Sequence, residues 1–94
     1  MIRLAVPKRV KELIRKMHPD LKKRVRASLE IILSEPNSGK LLVEELSRLR
    51  SFRVKSFRVI YRIKEPETIE IVAVGPRERI YEETFGLIRK ERGK

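Results

Sequence analysis

The run from Arg48 to Lys64 constrains this chain more than any other feature. It carries seven basic side chains and no acid, threaded through an alternating apolar pattern. In an extended strand successive side chains point to opposite faces. Phe52 and Val54 therefore share one face, and Ser51, Arg53 and Lys55 the other. On the next run Phe57, Val59, Tyr61 and Ile63 face one way, and Arg58, Ile60 and Arg62 the other. A turn centred on Lys55-Ser56 pairs Phe52 with Val59 and Val54 with Phe57 as core, which sets Arg53 directly opposite Arg58. Neither turn residue favours the positive φ of a two-residue hairpin loop, and a four-residue turn keeps the same pairs. Like charges at that cross-strand spacing destabilise by a few tenths to ~1 kcal/mol. With Ser51, Lys55 and Arg62 nearby and no acid in the segment, an anion is the expected partner, because guanidinium forks match phosphate two bonds at a time.

The remaining pattern predicts one α+β domain spanning residues 1–94, without repeat or linker. Residues 2–6 alternate as a short strand stopped at Pro7. Pro7 suits the first turn of a helix, and Val10, Leu13, Ile14 and Met17 follow at helical spacing. His18-Pro19-Asp20 breaks that helix and starts a second, whose stripe is Leu21, Val25, Ser28, Leu29 and Ile32. A turn cluster at 35–40 precedes strands at about 49–55, 57–64 and 68–74, with Glu65-Pro66-Glu67 between the last two. After Gly75-Pro76 a short extended piece leads to a last helix from about Glu82 to Arg89, weakened by Gly86. The predicted order is β-α-α-β-β-β(-α), a helical hairpin on a four-stranded, mainly antiparallel sheet, with Arg53 and Arg58 on the face away from the helices.

Composition removes most other chemistry. Without cysteine there is no disulfide, thiolate zinc site or thiol nucleophile. The one histidine, His18, reads as a helix cap or surface residue, and the serines have no histidine relay. No phosphate-loop or dinucleotide fingerprint occurs, so neither cofactor nor metal is expected. Glu65, Glu67 and Glu70 read as a solvated edge. No apolar run approaches the ~18 residues of a membrane span, and a soluble cytoplasmic protein is expected. Twelve Glu, one Asp, no Gln and one Asn beside abundant Lys is the bias of a hyperthermophile. The net charge of +11 is uneven: +8 over residues 1–28, −3 over 29–47, +7 over 48–64 and −1 over 65–94. Basic surfaces so concentrated attract phosphate or an acidic protein. If Arg77, Arg79 and Tyr81 are extended they share a face, and an aromatic among arginines can stack a base while the forks take its phosphate.

The run 49–61 (LRSFRVKSFRVIY), followed by 74–81 (VGPRERIY), resembles the strand pattern YRLRVGDYRVIY and the ending VGxRxxxY of the RelE/ParE toxin superfamily. With the preceding helical hairpin the resemblance covers nearly the whole chain. It implies a small basic toxin of a type II toxin–antitoxin system that enters the ribosomal A site and cleaves mRNA. The 2′-hydroxyl would attack the adjacent phosphate, leaving a 2′,3′-cyclic phosphate and a 5′-hydroxyl. It implies catalytic roles for Arg58 and Arg77 on the phosphate, Tyr81 stacked on the scissile nucleotide, and Arg53 where relatives place a catalytic lysine or arginine. Arg50, Ser51, Lys55, Arg62 and Arg79 are the expected RNA- or phosphate-binding residues. The implied partners are the ribosome, mRNA and an acidic RelB-like antitoxin that wraps the basic surface and displaces the C-terminal helix, the toxin being a monomer alone or part of a heterotetramer. Three positions depart from the pattern. Ser51 replaces a second basic residue, Lys55-Ser56 a Gly-Asp turn, and Pro76 a histidine. Arginine is a poor base, its pKa staying above ~12, so catalysis would rest on positioning and transition-state charge. The competing implications are a ParE-like inhibitor of a type II topoisomerase and a silent family member that only binds antitoxin or RNA.

Overall fold

The computed structural model describes residues 2–43, 46–64 and 67–93, the Arg92 side chain excepted. Glu65 and Pro66, part of the expected break between the last two strands, lie outside the described residues. The order is β1 (Arg3–Ala5), α1 (Lys8–Arg15), α2 (Pro19–Ser34), a 3₁₀ turn at Pro36–Ser38, β2 (Lys40–Leu41), β3 (Arg50–Val54), β4 (Phe57–Lys64), β5 (Thr68–Pro76) and α3 (Arg77–Arg92). The sheet runs β1-β5-β4-β3-β2, with β1 parallel to β5 and every other pair antiparallel. The α+β class is as expected, with one strand more than the four predicted. That strand, β2, is two residues long, too short for an alternation to register in sequence.

The first helices follow the chain closely. Pro7 caps α1, and the His18 imidazole accepts a 3.2 Å hydrogen bond from the Asp20 amide at the start of α2. Val10, Ile14, Val25 and Ile32 are buried against Val54, Val59, Tyr61, Ile69, Ile71 and Val74. Leu13, expected in that stripe, is exposed. The Tyr61 hydroxyl accepts from the Gly39 amide at 2.9 Å and donates to the Pro36 carbonyl at 2.7 Å, fixing the turn before β2. A Cβ on Gly39 would lie 2.6 Å from that hydroxyl, so glycine is there for close approach.

The helices do not share one face. Α third helix covers the opposite side of the sheet, where Ile80 and Ile88 pack on Leu49, Ile60, Val72 and Ala73. Its start also differs from the expected extended piece: α3 begins at Arg77, straight after Pro76. Proline before a first turn needs no amide of its own, and the Arg77 amide donates 2.8 Å to the Ser56 carbonyl at the hairpin turn. Gly86 is exposed and costs α3 only its propensity, about 1 kcal/mol. A register shift at Ile60/Tyr61 leaves Val72 extra in β5, so Val72 and Ala73 both face α3. The Arg9 guanidinium donates to the Val72 carbonyl at that irregularity.

Candidate phosphate-binding site

The hairpin forms with the register the apolar pattern demands: Phe52 pairs with Val59, Val54 with Phe57, and Arg53 with Arg58. The loop is the two-residue one, and Lys55 takes the left-handed conformation at φ 55°. An L-residue held there costs roughly 1–2 kcal/mol. On its other side Arg58 pairs with Gly75 of β5, which places no side chain beside the guanidinium. The Arg58 Nη1 atom is buried and has no hydrogen-bond partner among the described residues. A buried, unpaired charged donor is expensive, and such groups are normally satisfied by a partner or an ion.

The helical start of α3 completes the site. Arg77 and Tyr81, four residues apart, lie on one helix face. Together with Arg53, Lys55, Ser56, Arg58 and Glu78 they line an open notch of about 630 Å³ at the hairpin end of the sheet. Ser51, buried on β3, hydrogen-bonds the Tyr81 hydroxyl at 3.1 Å and so orients the ring. Burial pushes the Tyr81 hydroxyl up. The Ser51 hydrogen bond and the Arg58 and Arg77 guanidiniums outweigh it and bring the group below its ordinary value of 10.0. The notch therefore favours negative charge and holds one ring.

Five of the nine expected site residues meet here: Arg53, Lys55, Arg58, Arg77 and Tyr81, with Ser51 immediately behind. Three do not. Arg50 donates to the Asn37 and Gly39 carbonyls at 3.3 and 2.9 Å, tying β3 to the preceding turn. Arg79 is exposed on α3 and does not line the notch, because the helix turns it away from Arg77 and Tyr81. Arg62, expected to lack an acid, pairs with Glu70 on β5 and with Glu91 on α3 at 3.1 Å. Glu70, expected at a solvated edge, also meets Lys64 at 3.6 Å. Glu78 was not foreseen. It is the one carboxylate among the described residues that line the notch, and its only sequence signal is its place beside Arg77 at the helix start. Among the described residues no cluster of three or more His, Cys, Asp or Glu could hold a metal. Nor is any described helix long and apolar enough to cross a membrane.

A hairpin of paired arginines closed by an Arg-Tyr helix start lies on a mixed sheet flanked by helices on both faces. The chain belongs to the ParE toxin family of type II toxin–antitoxin systems, whose sequence model matches residues 3–81, and so to the RelE/ParE superfamily. Solved structures agree in fold. A doubly substituted Escherichia coli toxin RelE in the free state superposes with a TM-score of 0.75 at 15% identity, covering 96% of each chain. The Mycobacterium tuberculosis toxin–antitoxin complex RelBE2 matches with a TM-score of 0.70 at 25% identity, over 81% of this chain and 98% of that one. The archaeal RelE–RelB complex of Pyrococcus horikoshii gives 0.66 at 22% identity, over 83% and 97%. No curated protein matches the chain.

Proposed function

We propose that this toxin is a ribosome-dependent endoribonuclease that cleaves mRNA in the A site and is held inactive by an acidic RelB-like antitoxin. The observation that carries the reading is the buried, unpartnered Arg58 Nη1 facing a notch lined by Arg53, Lys55, Arg77 and Tyr81. A phosphate there would satisfy Arg58 and relieve its repulsion from Arg53. In the reaction the 2′-oxygen bonds to phosphorus as the bond to the 5′-oxygen breaks. The first oxygen loses its proton, and the second gains one. Charge gathers on the nonbridging oxygens, where Arg58 and Arg77 are placed to stabilise it, while Tyr81 stacks on the nucleotide. Solved relatives named as RelE–RelB complexes support the antitoxin partner.

Single-turnover cleavage on programmed ribosomes, with mapped mRNA ends, tests this. Arg58→Ala and Arg77→Ala should each lose roughly a hundred- to thousandfold in rate, the effect of removing one preorganised donor at ~2–4 kcal/mol. Tyr81→Ala should lose less, since stacking contributes ~1–3 kcal/mol per base. Undiminished cutting by Arg58→Ala would show the residues misassigned. The second reading, inhibition of a type II topoisomerase, is favoured by the ParE description of the matching family. A wild-type protein that blocks supercoiling and cuts no mRNA would establish it instead.

A further inference from the structure

We propose that the notch between α2 and β3 is a second subsite for single-stranded RNA, taking the nucleotide adjacent to the phosphate at Arg58; this rests on the ribonuclease reading above. The notch measures about 260 Å³. That is smaller than the ~300–1,000 Å³ of sites enclosing whole drug-sized ligands, and suits a single ring. Arg24 and Ile31, seven residues apart on one face of α2, stand across from Phe52, Arg53 and Lys55 of the hairpin. Ile31 is 43% exposed and the Phe52 ring is half-buried, so apolar surface is open beside three cations. Among the described residues no carboxylate lines this notch.

Arg53 and Lys55 line both this notch and the phosphate site. The reason lies in the sheet. The two residues of β2 pair only with Arg50 and Ser51, so among the described residues no strand pairs with β3 from Phe52 to Val54 on that side. One ligand can pass over that edge from one face to the other. Along this path the protein presents guanidiniums with Tyr81, then Arg53 and Lys55, then Phe52 with Ile31, then Arg24. Cation and ring alternate as phosphate and base alternate along a single strand. An acidic peptide added as a strand along that edge would meet the charges but has no use for the ring and the isoleucine at that spacing.

The test measures binding of 2′-O-methyl oligouridylates of two and five nucleotides, which cannot be cleaved by 2′-oxygen attack, across a range of salt. The five-mer should bind roughly tenfold or more tighter than the two-mer, as added stacking on an aromatic predicts. Arg24→Ala and Ile31→Ala should each remove most of that ratio. Arg24→Ala should also flatten the five-mer's log–log salt slope by about 0.7, one phosphate's share for a single strand, and Ile31→Ala should leave the slope unchanged. Lys16→Ala, a loss of equal charge from the exposed end of α1, should keep both ratio and slope. A wild-type protein that binds the two-mer but gains nothing on lengthening overturns the subsite alone. So does a ratio that survives both variants, or a glutamate-rich peptide that binds more tightly than the five-mer and loses its affinity with Arg24→Ala. Binding of neither oligomer overturns the subsite and the phosphate site together. Arg58→Ala that binds the two-mer as wild type overturns the phosphate site, and with it the reading on which the subsite rests.

Discussion

At the scale of single residues, Arg58 carries two opposed consequences. It sits across from Arg53 and has a buried Nη1 without a partner among the described residues, so the fold gains little from it. Arg58→Gln should leave thermal stability unchanged or slightly raised while cleavage falls, as expected where a site is arranged for a ligand and not for the fold. A large drop in melting temperature would make Arg58 structural. Tyr81 gives a pH signature of the same field. Its hydroxyl lies below 10.0 in the folded chain, so between the folded value and that of the unfolded chain the unfolded state binds more protons. Stability should therefore rise with pH through that window. A spectrophotometric phenolate titration, with Tyr81→Phe to identify the step, should place it below 10.0. A step at or above that value would remove the cationic surroundings from the account.

At the scale of elements, the hairpin and α3 depend on each other. The Arg77 amide on the Ser56 carbonyl holds the start of α3 against the β3–β4 turn, and that turn keeps Lys55 in its left-handed conformation. At the other end Arg62 joins β4 to β5 through Glu70 and to α3 through Glu91. Glu70→Ala should thus destabilise by roughly 1 kcal/mol, a charged hydrogen bond discounted for partial exposure, with little change in RNA binding. The hydrogen bond from Arg62 holds the Glu91 carboxyl below its ordinary 4.5, with slight burial opposing and Arg62, Lys64 and Arg9 charges assisting. A lowered carboxyl contributes stability above its unfolded value and loses it as pH falls through the folded one. Amide protection across the last two turns of α3, measured against the intrinsic exchange rate at each pH, should fall over that acidic range. Protection that is unchanged there would mean apolar packing alone holds the helix end.

At the scale of the whole molecule, a net charge of +11 repels itself, and Arg53, Lys55, Arg58 and Arg77 concentrate that repulsion at the hairpin end of the sheet. Any anion that binds the folded chain stabilises it by mass action, about 2.7 kcal/mol at a hundred times its Kd. Sulfate should therefore raise the melting temperature more than chloride at equal ionic strength, and Arg58→Gln should lose most of that difference. An equal response in the variant would assign the effect to general screening.

The hairpin register, the helical hairpin and the family were legible because each rests on local alternation. Apolar parity alone sets Arg53 opposite Arg58, and a one-residue slip would turn Phe52 and Val59 to the wrong face. Proline and spacing likewise placed α1 and α2. What the sequence left open depended on residues far apart in the chain. Arg62 finds Glu91 twenty-nine positions away, and no strand pattern records that pairing. The second helical layer was hidden because β5 reads as one apolar run, Ile71-Val72-Ala73-Val74, whose burial on both faces has no alternation to reveal it. Docking of the Arg77 amide on Ser56 then made 77–81 helical, selecting Arg77 and Tyr81 and turning Arg79 aside. Local periodicity determined which side chains share a strand face; only tertiary packing decided that Arg62 meets Glu70 and Glu91 while Arg58 keeps a buried Nη1 without a partner among the described residues.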